Sequence, residues 1–279
     1  VPDAFYWTEL ATVYQADALV VLRELPAASA DAVITDPPYS SGGQFRSDRI
    51  QGVHTKYVQT GSGSGNRLPA FTGDNRDQHG YGYWCALWLG ECRRIVVPGG
   101  VIAVFCDWRQ LPVTSDMLQA AGIVWRGILP WHKPNGRPVQ GRWANQCEYV
   151  VWGTNGPRAL GMLGSRALAG FLQANPPRVR DHITQKPLQI MRELVKIAPV
   201  GGVVLDPFAG AGTTGVAALH EGRRFVGVEQ DPRHCATIAR NLDAAQLIAG
   251  PAADVLPLDW AAAAAGEAEG AGGEEIADA

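Results

Sequence analysis

Two short stretches of this 279-residue chain carry side chains and backbone suited to chemistry. The first is Asp36-Pro37-Pro38-Tyr39. Its prolines fix the backbone and remove two donors, leaving carbonyl oxygens free to accept hydrogen bonds beside a carboxylate and an aromatic ring. The second runs from Leu205 to Asp231 and reads LDPFAGAGTTGVAALHEGRRFVGVEQD. In it Gly210, Gly212 and Gly215 satisfy G-x-G-x-x-G, a turn that lets the backbone approach a ligand closely. Glu229 closes the next apolar run, where an acid can accept hydrogen bonds from both hydroxyls of a ribose.

Taken alone, the glycine turn fits a nicotinamide or flavin enzyme, an S-adenosylmethionine enzyme, or a turn with no ligand at all. Asp206-Pro207-Phe208 favours the second. A pyrophosphate beside Asp206 would be repelled, whereas a sulfonium cation with its ammonium group would not. Asp36-Pro37-Pro38-Tyr39 in isolation is equally compatible with an ordinary strand-ending turn.

The elements that must hold these groups read as an α/β alternation. Strands are expected at Ala32 to Thr35, Val203 to Leu205 and Phe225 to Val228, each running into one of the two stretches. A helix over Ala16 to Leu25 presents Leu19, Val20, Leu22 and Leu25 as an apolar stripe. Further on, a helix over Tyr81 to Val97, a strand over Val101 to Cys106 and a helical stretch to Ala120 follow. Strands Val124 to Trp131 and Glu148 to Gly153 should then pair antiparallel. Thr184 to Ala198 reads as a helix with Pro187 in its first turn, where a missing donor costs nothing. Asp231 and Pro232 fit the N-cap and first position of a last helix to about Leu242.

The length suits one large α/β domain with a modest insertion and a sizeable core, and 46% of residues are hydrophobic. No apolar run approaches the ~20 residues of a membrane span, and no N-terminal signal pattern is present. The five cysteines are odd in number and lack a C-x-x-C pair, so they read as reduced core thiols, with no metal site expected. The net charge of −3 hides an asymmetry: five acids and no bases lie from Gly266 onward, leaving 24 bases against 22 acids before it. Between Trp125 and Lys196 there are eleven bases and three acids, which suits a polyanionic partner or a merely solvated face.

Asp36-Pro37-Pro38-Tyr39 resembles the catalytic motif of the amino-group DNA methyltransferases, and Asp206-Pro207-Phe208-Ala209-Gly210-Ala211-Gly212 resembles their cofactor motif. The catalytic motif comes first, as in the permuted, beta group of these enzymes, and the likeness covers most of Ala11 to Leu242. It implies a Rossmann-like methyltransferase fold, a mixed and mostly parallel sheet with an inserted target-recognition region. It implies S-adenosylmethionine as cofactor and catalytic roles for Asp36, Pro37, Pro38 and Tyr39. Cofactor contacts are carried to Asp17, Ala18, Asp36, Lys186, Asp206, Phe208, Gly210, Gly212, Thr213, Thr214 and Glu229. Among them, Asp17 would lie near the adenine, Lys186 near the cofactor's carboxylate and Asp206 near its charged methionine end. Asp17 also reads as an ordinary helix cap.

The resemblance further implies double-stranded DNA as partner and adenine N6 as target, since an acid heads the motif; cytosine N4 is the alternative. A dinucleotide oxidoreductase and a non-catalytic DNA-binding module are readings of other classes. Arg46, Lys133, Asn135, Arg137, Arg142, Arg178 and Arg180 are candidate DNA contacts, within target-recognition segments 133–146 and 155–180 and a long polar loop over 40–79 expected to be mobile. The catalytic domain is expected to span residues 1–260, and the Ala/Gly/Glu tail over 261–279 should be disordered. A bacterial or phage cytoplasmic setting is expected, with room for a homodimer and for a separate restriction nuclease making no direct contact.

Overall fold

The computed structural model describes residues 3–39, 76–136, 140–141, 143–158, 167–177 and 185–249. Strands β1 (Tyr6–Trp7) and β2 (Ala11–Gln15) lead to helix α1 (Ala18–Glu24) and strand β3 (Ala30–Thr35). Helix α2 (Gln78–Ile95) runs directly into β4 (Val96–Cys106), followed by α3 (Leu111–Ala120), β5 (Val124–His132) and β6 (Cys147–Thr154). The last elements among the described residues are β7 (Leu172–Gln173), α4 (Leu188–Val195), β8 (Val203–Asp206), α5 (Thr213–His220), β9 (Arg224–Glu229) and α6 (Pro232–Ala249).

These strands form one sheet in the order β1-β2-β9-β8-β3-β4-β6-β5-β7. All run parallel except β1 and β6, which are antiparallel to their neighbours. The expected mixed, mostly parallel sheet is therefore present, and so is the antiparallel pairing of β5 with β6. Its central strands alternate between two cores. On β3, Ala32 and Ile34 join Met191, Ala218, Phe225 and Ile238 on the face covered by α4, α5 and α6. Ala30 and Val33 turn to the opposite face, against Leu22, Trp88, Leu89 and Leu118 of α1, α2 and α3. Covered on both faces, β8 and β9 read as continuous apolar runs, as buried parallel strands do.

Several boundaries differ from the sequence expectation. β4 begins at Val96 instead of Val101, because Val96 pairs with Ala30 of β3 across a register shift, while Gly99 N donates to Asn155 O and Asn155 N to Gly100 O just beyond the ladder with β6. α4 is shorter than expected, starting at Leu188 with Pro187 as its N-cap instead of inside its first turn. α6 continues to Ala249, beyond Leu242. β1, β2 and β7 carry too few residues, or too little alternation, to be read in advance. Four of the cysteines, Cys85, Cys92, Cys106 and Cys235, are buried and Cys147 is half-buried, all as free thiols. Among the described residues no helix is long and apolar enough to cross a membrane.

Candidate active site

The two chemically suited stretches meet because β3 and β8 are hydrogen-bonded neighbours, with Val33 beside Leu205. From β8 the chain crosses to β9 on one side; from β3 it crosses to β4 on the other. The crevice beyond their carboxyl ends is thus a topological switch point, the place where open α/β sheets bind ligands. A cleft of about 610 Å³ opens there. Of the expected residues, Asp17, Ala18, Asp36, Pro37, Pro38, Tyr39, Lys186, Asp206, Phe208, Gly210, Thr213, Thr214 and Glu229 line it.

One end of the cleft is built around Glu229. Its Oε1 accepts from the Gln230 and Asp231 N–H groups, and its Oε2 accepts from Gly210 N at 2.9 Å. This clamps the glycine turn to the tip of β9 and leaves Oε2 with capacity for a further donor, such as a ribose hydroxyl. Gly210 adopts φ 55° where the backbone turns under the cleft. Gly212 is placed differently from expectation. It does not line the cleft; it is the N-cap of α5 at φ 78°, and a Cβ there would lie 2.9 Å from Ile238 Cγ2. Its smallness serves the close approach of α5 to α6. Asp17 both lines the cleft and caps α1, accepting from Leu19 N at 2.9 Å, so the cap and the ligand readings are compatible.

Phe208 forms an aromatic wall with Trp84 and Trp88, ring centroids 5.1 and 5.2 Å away. The Arg76 guanidinium lies 4.2 Å over the Trp84 ring, and both line the cleft. Neither Trp84 nor Arg76 was singled out from sequence. The i, i+4 spacing of Trp84 and Trp88 on one helix is the signal that could have placed the first; Arg76 has none.

Asp206 is only 2% exposed. Its Oδ1 accepts from Thr35 Oγ1 and from Phe208 N, and its Oδ2 from Thr214 Oγ1 at 2.5 Å. Burial pushes its carboxyl up to about 6 against these hydrogen bonds. The charge contact expected with a cofactor therefore meets a carboxylate already engaged as an internal brace.

Asp36 leaves the tip of β3 into a chain of charges of alternating sign. Lys186 Nζ donates to Asp36 Oδ2 at 2.5 Å and lies 3.4 Å from Glu148 Oε2; Lys133 Nζ donates to Glu148 Oε1 at 2.9 Å. Tyr39 OH donates to Glu148 Oε2 at 3.3 Å. Burial raises Asp36 to about 6, with Lys186 opposing the rise and Glu148 adding to it. Glu148 is held below the ordinary carboxylate range by the Lys186 and Lys133 ammonium groups, against its own burial. Lys186 is raised by Asp36 and Glu148 although burial works the other way. Among the described residues Asp36 Oδ1 is buried with no hydrogen-bond partner.

This network changes two assignments. Lys186, expected near a cofactor's carboxylate, has its ammonium engaged by two protein carboxylates. Lys133, expected on the DNA surface, is tied to Glu148 with its side chain 21% exposed. Glu148 itself was missed. Its signal was an acid in an otherwise apolar strand, CEYVVWGT, beside the end of β5, where Trp131 pairs with Glu148 and Lys133 follows. Of the remaining candidate DNA contacts, Asn135 is exposed and its N–H donates to Asn175 Oδ1 at 3.0 Å. Arg46, Arg137, Arg142, Arg178 and Arg180 lie outside the described residues, as do the tail and most of the 40–79 loop.

The chain is similar in sequence and in fold to known proteins. The chain is 26% identical over 247 residues to the type II methyltransferase M.HinfI of Haemophilus influenzae, covering 81% of this chain and 66%, just under two thirds, of that enzyme. The fold resembles the M1.HpyAVI–SAM complex, with TM-score 0.60 and 22% identity over 84% of this chain and 100% of that one. It also resembles the cytosine-N4-specific PvuII DNA methyltransferase, with TM-score 0.63 and 18% identity over 85% and 88% of the two chains. Likeness at this identity shows the fold, a mixed Rossmann-like methyltransferase sheet. The N6_N4_Mtase family model, described as DNA methylase, matches residues 30–159 and 165–240, and the chain belongs to that family.

Proposed function

We propose that the protein is a site-specific DNA methyltransferase that moves a methyl group from S-adenosylmethionine to the exocyclic N6 of adenine within a short DNA site. The observation that carries this reading is Asp36. Its Oδ1 is a buried acceptor with no partner among the described residues, in a cleft shared with the glycine turn and Glu229. A buried, unsatisfied acceptor is costly, and such groups mark places where a ligand supplies the missing donor.

The cleft fits the cofactor. Glu229 Oε2 can take a ribose hydroxyl, the Gly210 turn allows close backbone approach, and Phe208 with Trp84 offers flat apolar surface to a purine. When bound, S-adenosylmethionine supplies an electrophilic methyl group on a sulfonium.

An exocyclic amino group is a poor nucleophile because its lone pair is delocalised into the ring. Asp36 Oδ1 accepts one amino hydrogen and the Pro37 carbonyl the other, which turns the nitrogen toward tetrahedral geometry and aims its lone pair across the cleft. Having transferred, the nitrogen sheds a proton, and Asp36, raised to about 6, is suited to receive it. Tyr39 stacks on the target base, which must leave the duplex to reach the cleft. No covalent enzyme nucleophile is needed.

Adenine is favoured by the acid that heads the motif. Cytosine N4 offers the same chemical handle, and the likeness to the cytosine-N4-specific PvuII enzyme supports it as the second reading. The test is single-molecule sequencing, with nucleoside mass spectrometry, of DNA from cells expressing the wild type beside Asp36→Ala. N6-methyladenine at one short motif, present only with the wild type, is the expected result. N4-methylcytosine would move the assignment to the second base, and no modified base would overturn it.

A further inference from the structure

Four ionisable side chains from four separate segments meet beside the cleft: Lys133 just after β5, Glu148 on β6, Lys186 just before α4 and Asp36 just after β3. Their charges alternate and sum to zero. That balance matters because an ion left alone in the interior is strongly unfavourable, whereas a paired and hydrogen-bonded one can be kept. Lys186 is the hinge of the arrangement, with a side chain 5% exposed and its ammonium shared by two carboxylates. Phe105 and Tyr39 turn their rings toward it, 5.1 and 5.6 Å from the ammonium.

We propose that Lys186 is a positioning residue for Asp36: by binding Oδ2 it fixes Oδ1 as the open acceptor and keeps the carboxylate ionised, while Glu148, anchored by Lys133, holds Lys186 in place. The inference rests on the reading of Asp36 as the acceptor of the target amino group. Its logic is that of acceptor capacity. An ionised carboxylate only accepts; a protonated one carries an O–H that donates, and it no longer accepts an amino hydrogen strongly enough to raise the electron density on the nitrogen. The groups facing Asp36 act in opposite senses. Burial, Glu148 and Asp206 favour its neutral form, and Lys186 is the cation that opposes all three. Two carboxylates reaching Lys186 from different strands also limit where its ammonium can sit, and hence which Asp36 oxygen it covers.

The test reads the Asp36 carboxyl directly, by 13C NMR of the full-length protein labelled at aspartate Cγ, with the resonance assigned by its absence in Asp36→Asn. In Lys186→Met the titration midpoint should rise by about one to three pH units, the range an adjacent opposite charge commands. Lys186→Arg should return it toward the wild-type value, because the charge is restored. Glu148→Gln should move it the other way, downward, since a repelling anion is removed. General damage to packing does not predict opposite signs. An unchanged midpoint in Lys186→Met, or shifts of the same sign in both, overturns the inference. If Lys186→Met does not fold, Lys186→Gln, which keeps a polar side chain without the charge, takes its place: a midpoint that does not rise overturns the inference.

Single-turnover methylation of DNA, run in parallel on wild type and variants, separates this inference from the functional reading. In active protein the pH of half-maximal rate should follow the NMR midpoint, with S-adenosylmethionine affinity little changed. A wild type inactive on DNA, with the midpoints moving as expected, overturns the methyltransferase reading and leaves the charge arrangement standing. An active wild type whose rate profile does not shift in Lys186→Met overturns the role given to Lys186.

Discussion

Thr35 Oγ1 donates a 2.6 Å hydrogen bond to Asp206 Oδ1, so the residue just before Asp36 is fastened to the residue just ahead of the glycine turn. Asp206 Oδ2 is taken by Thr214 Oγ1, at the start of α5. One carboxylate therefore ties β3, β8 and α5 together beneath the cleft, and the relative placement of the two motifs depends on it.

The Asp206 brace has a pH signature. Its carboxyl is raised by burial from the ordinary value to about 6, so between about pH 4 and 6 the folded protein binds a proton that the unfolded chain has released. Stability from this group is thus greatest below the unfolded value and declines as pH rises through the folded one. Asp206→Asn lacks that slope. Urea unfolding of both proteins across this window should show the difference shifting in favour of the Asn variant as pH rises, by an amount on the order of 1–3 kcal/mol. A constant difference would show that Asp206 does not titrate there.

Asp36→Ala should abolish methyl transfer by at least about 100-fold, because the acceptor acts mainly in the transition state. Calorimetric affinity for S-adenosylmethionine should stay within a few-fold, since Glu229 and the glycine turn are untouched. Loss of both together would point to a shared role or to misfolding.

For Tyr39, stacking predicts an order. Tyr39→Ala should lose about 1–3 kcal/mol of base interaction and a matching share of rate, and Tyr39→Trp should retain most of it. Tyr39→Phe should stay close to wild type, as the hydroxyl bond to Glu148 is long at 3.3 Å. Single-turnover rates of the three variants decide; equal losses in Ala and Trp rule out stacking.

Glu229→Gln removes the charge and turns one acceptor oxygen into a donor, opposing either the Gly210 N–H or the Gln230 and Asp231 N–H groups. Cofactor affinity should fall by about tenfold or more, the equivalent of one charge-assisted hydrogen bond. The rate at saturating cofactor should change far less. A fall confined to that rate would contradict cofactor binding by Glu229.

Lys133 offers a test of placement. A lysine on a phosphate contributes about one unit to the slope of log affinity against log salt. Because Lys133 is engaged by Glu148, Lys133→Ala should leave that slope unchanged in DNA-binding titrations. A slope reduced by about one would return Lys133 to the DNA surface.

What could be read in advance was local. Asp36-Pro37-Pro38-Tyr39, the glycine turn and Glu229 each sit at the end of a short continuous apolar run, and such runs alternating with helical stretches announce buried strand tips with chemical groups on them. The α/β class followed from the same alternation. Boundaries were less legible: β4 starts five residues early because Val96 pairs with Ala30 of β3, a partner that nothing in residues 96–100 announces.

Residue type and local spacing set which groups could do chemistry and which elements would carry them, because those depend on neighbours within a few positions. How their charges pair follows from the folded arrangement alone. Lys133, Glu148, Lys186 and Asp36 come from four segments, and burial in a common low-dielectric space makes each one's state depend on the others. That is why Lys186 and Lys133, read alone as groups for an external anion, face protein carboxylates here, and why Asp206 is a brace.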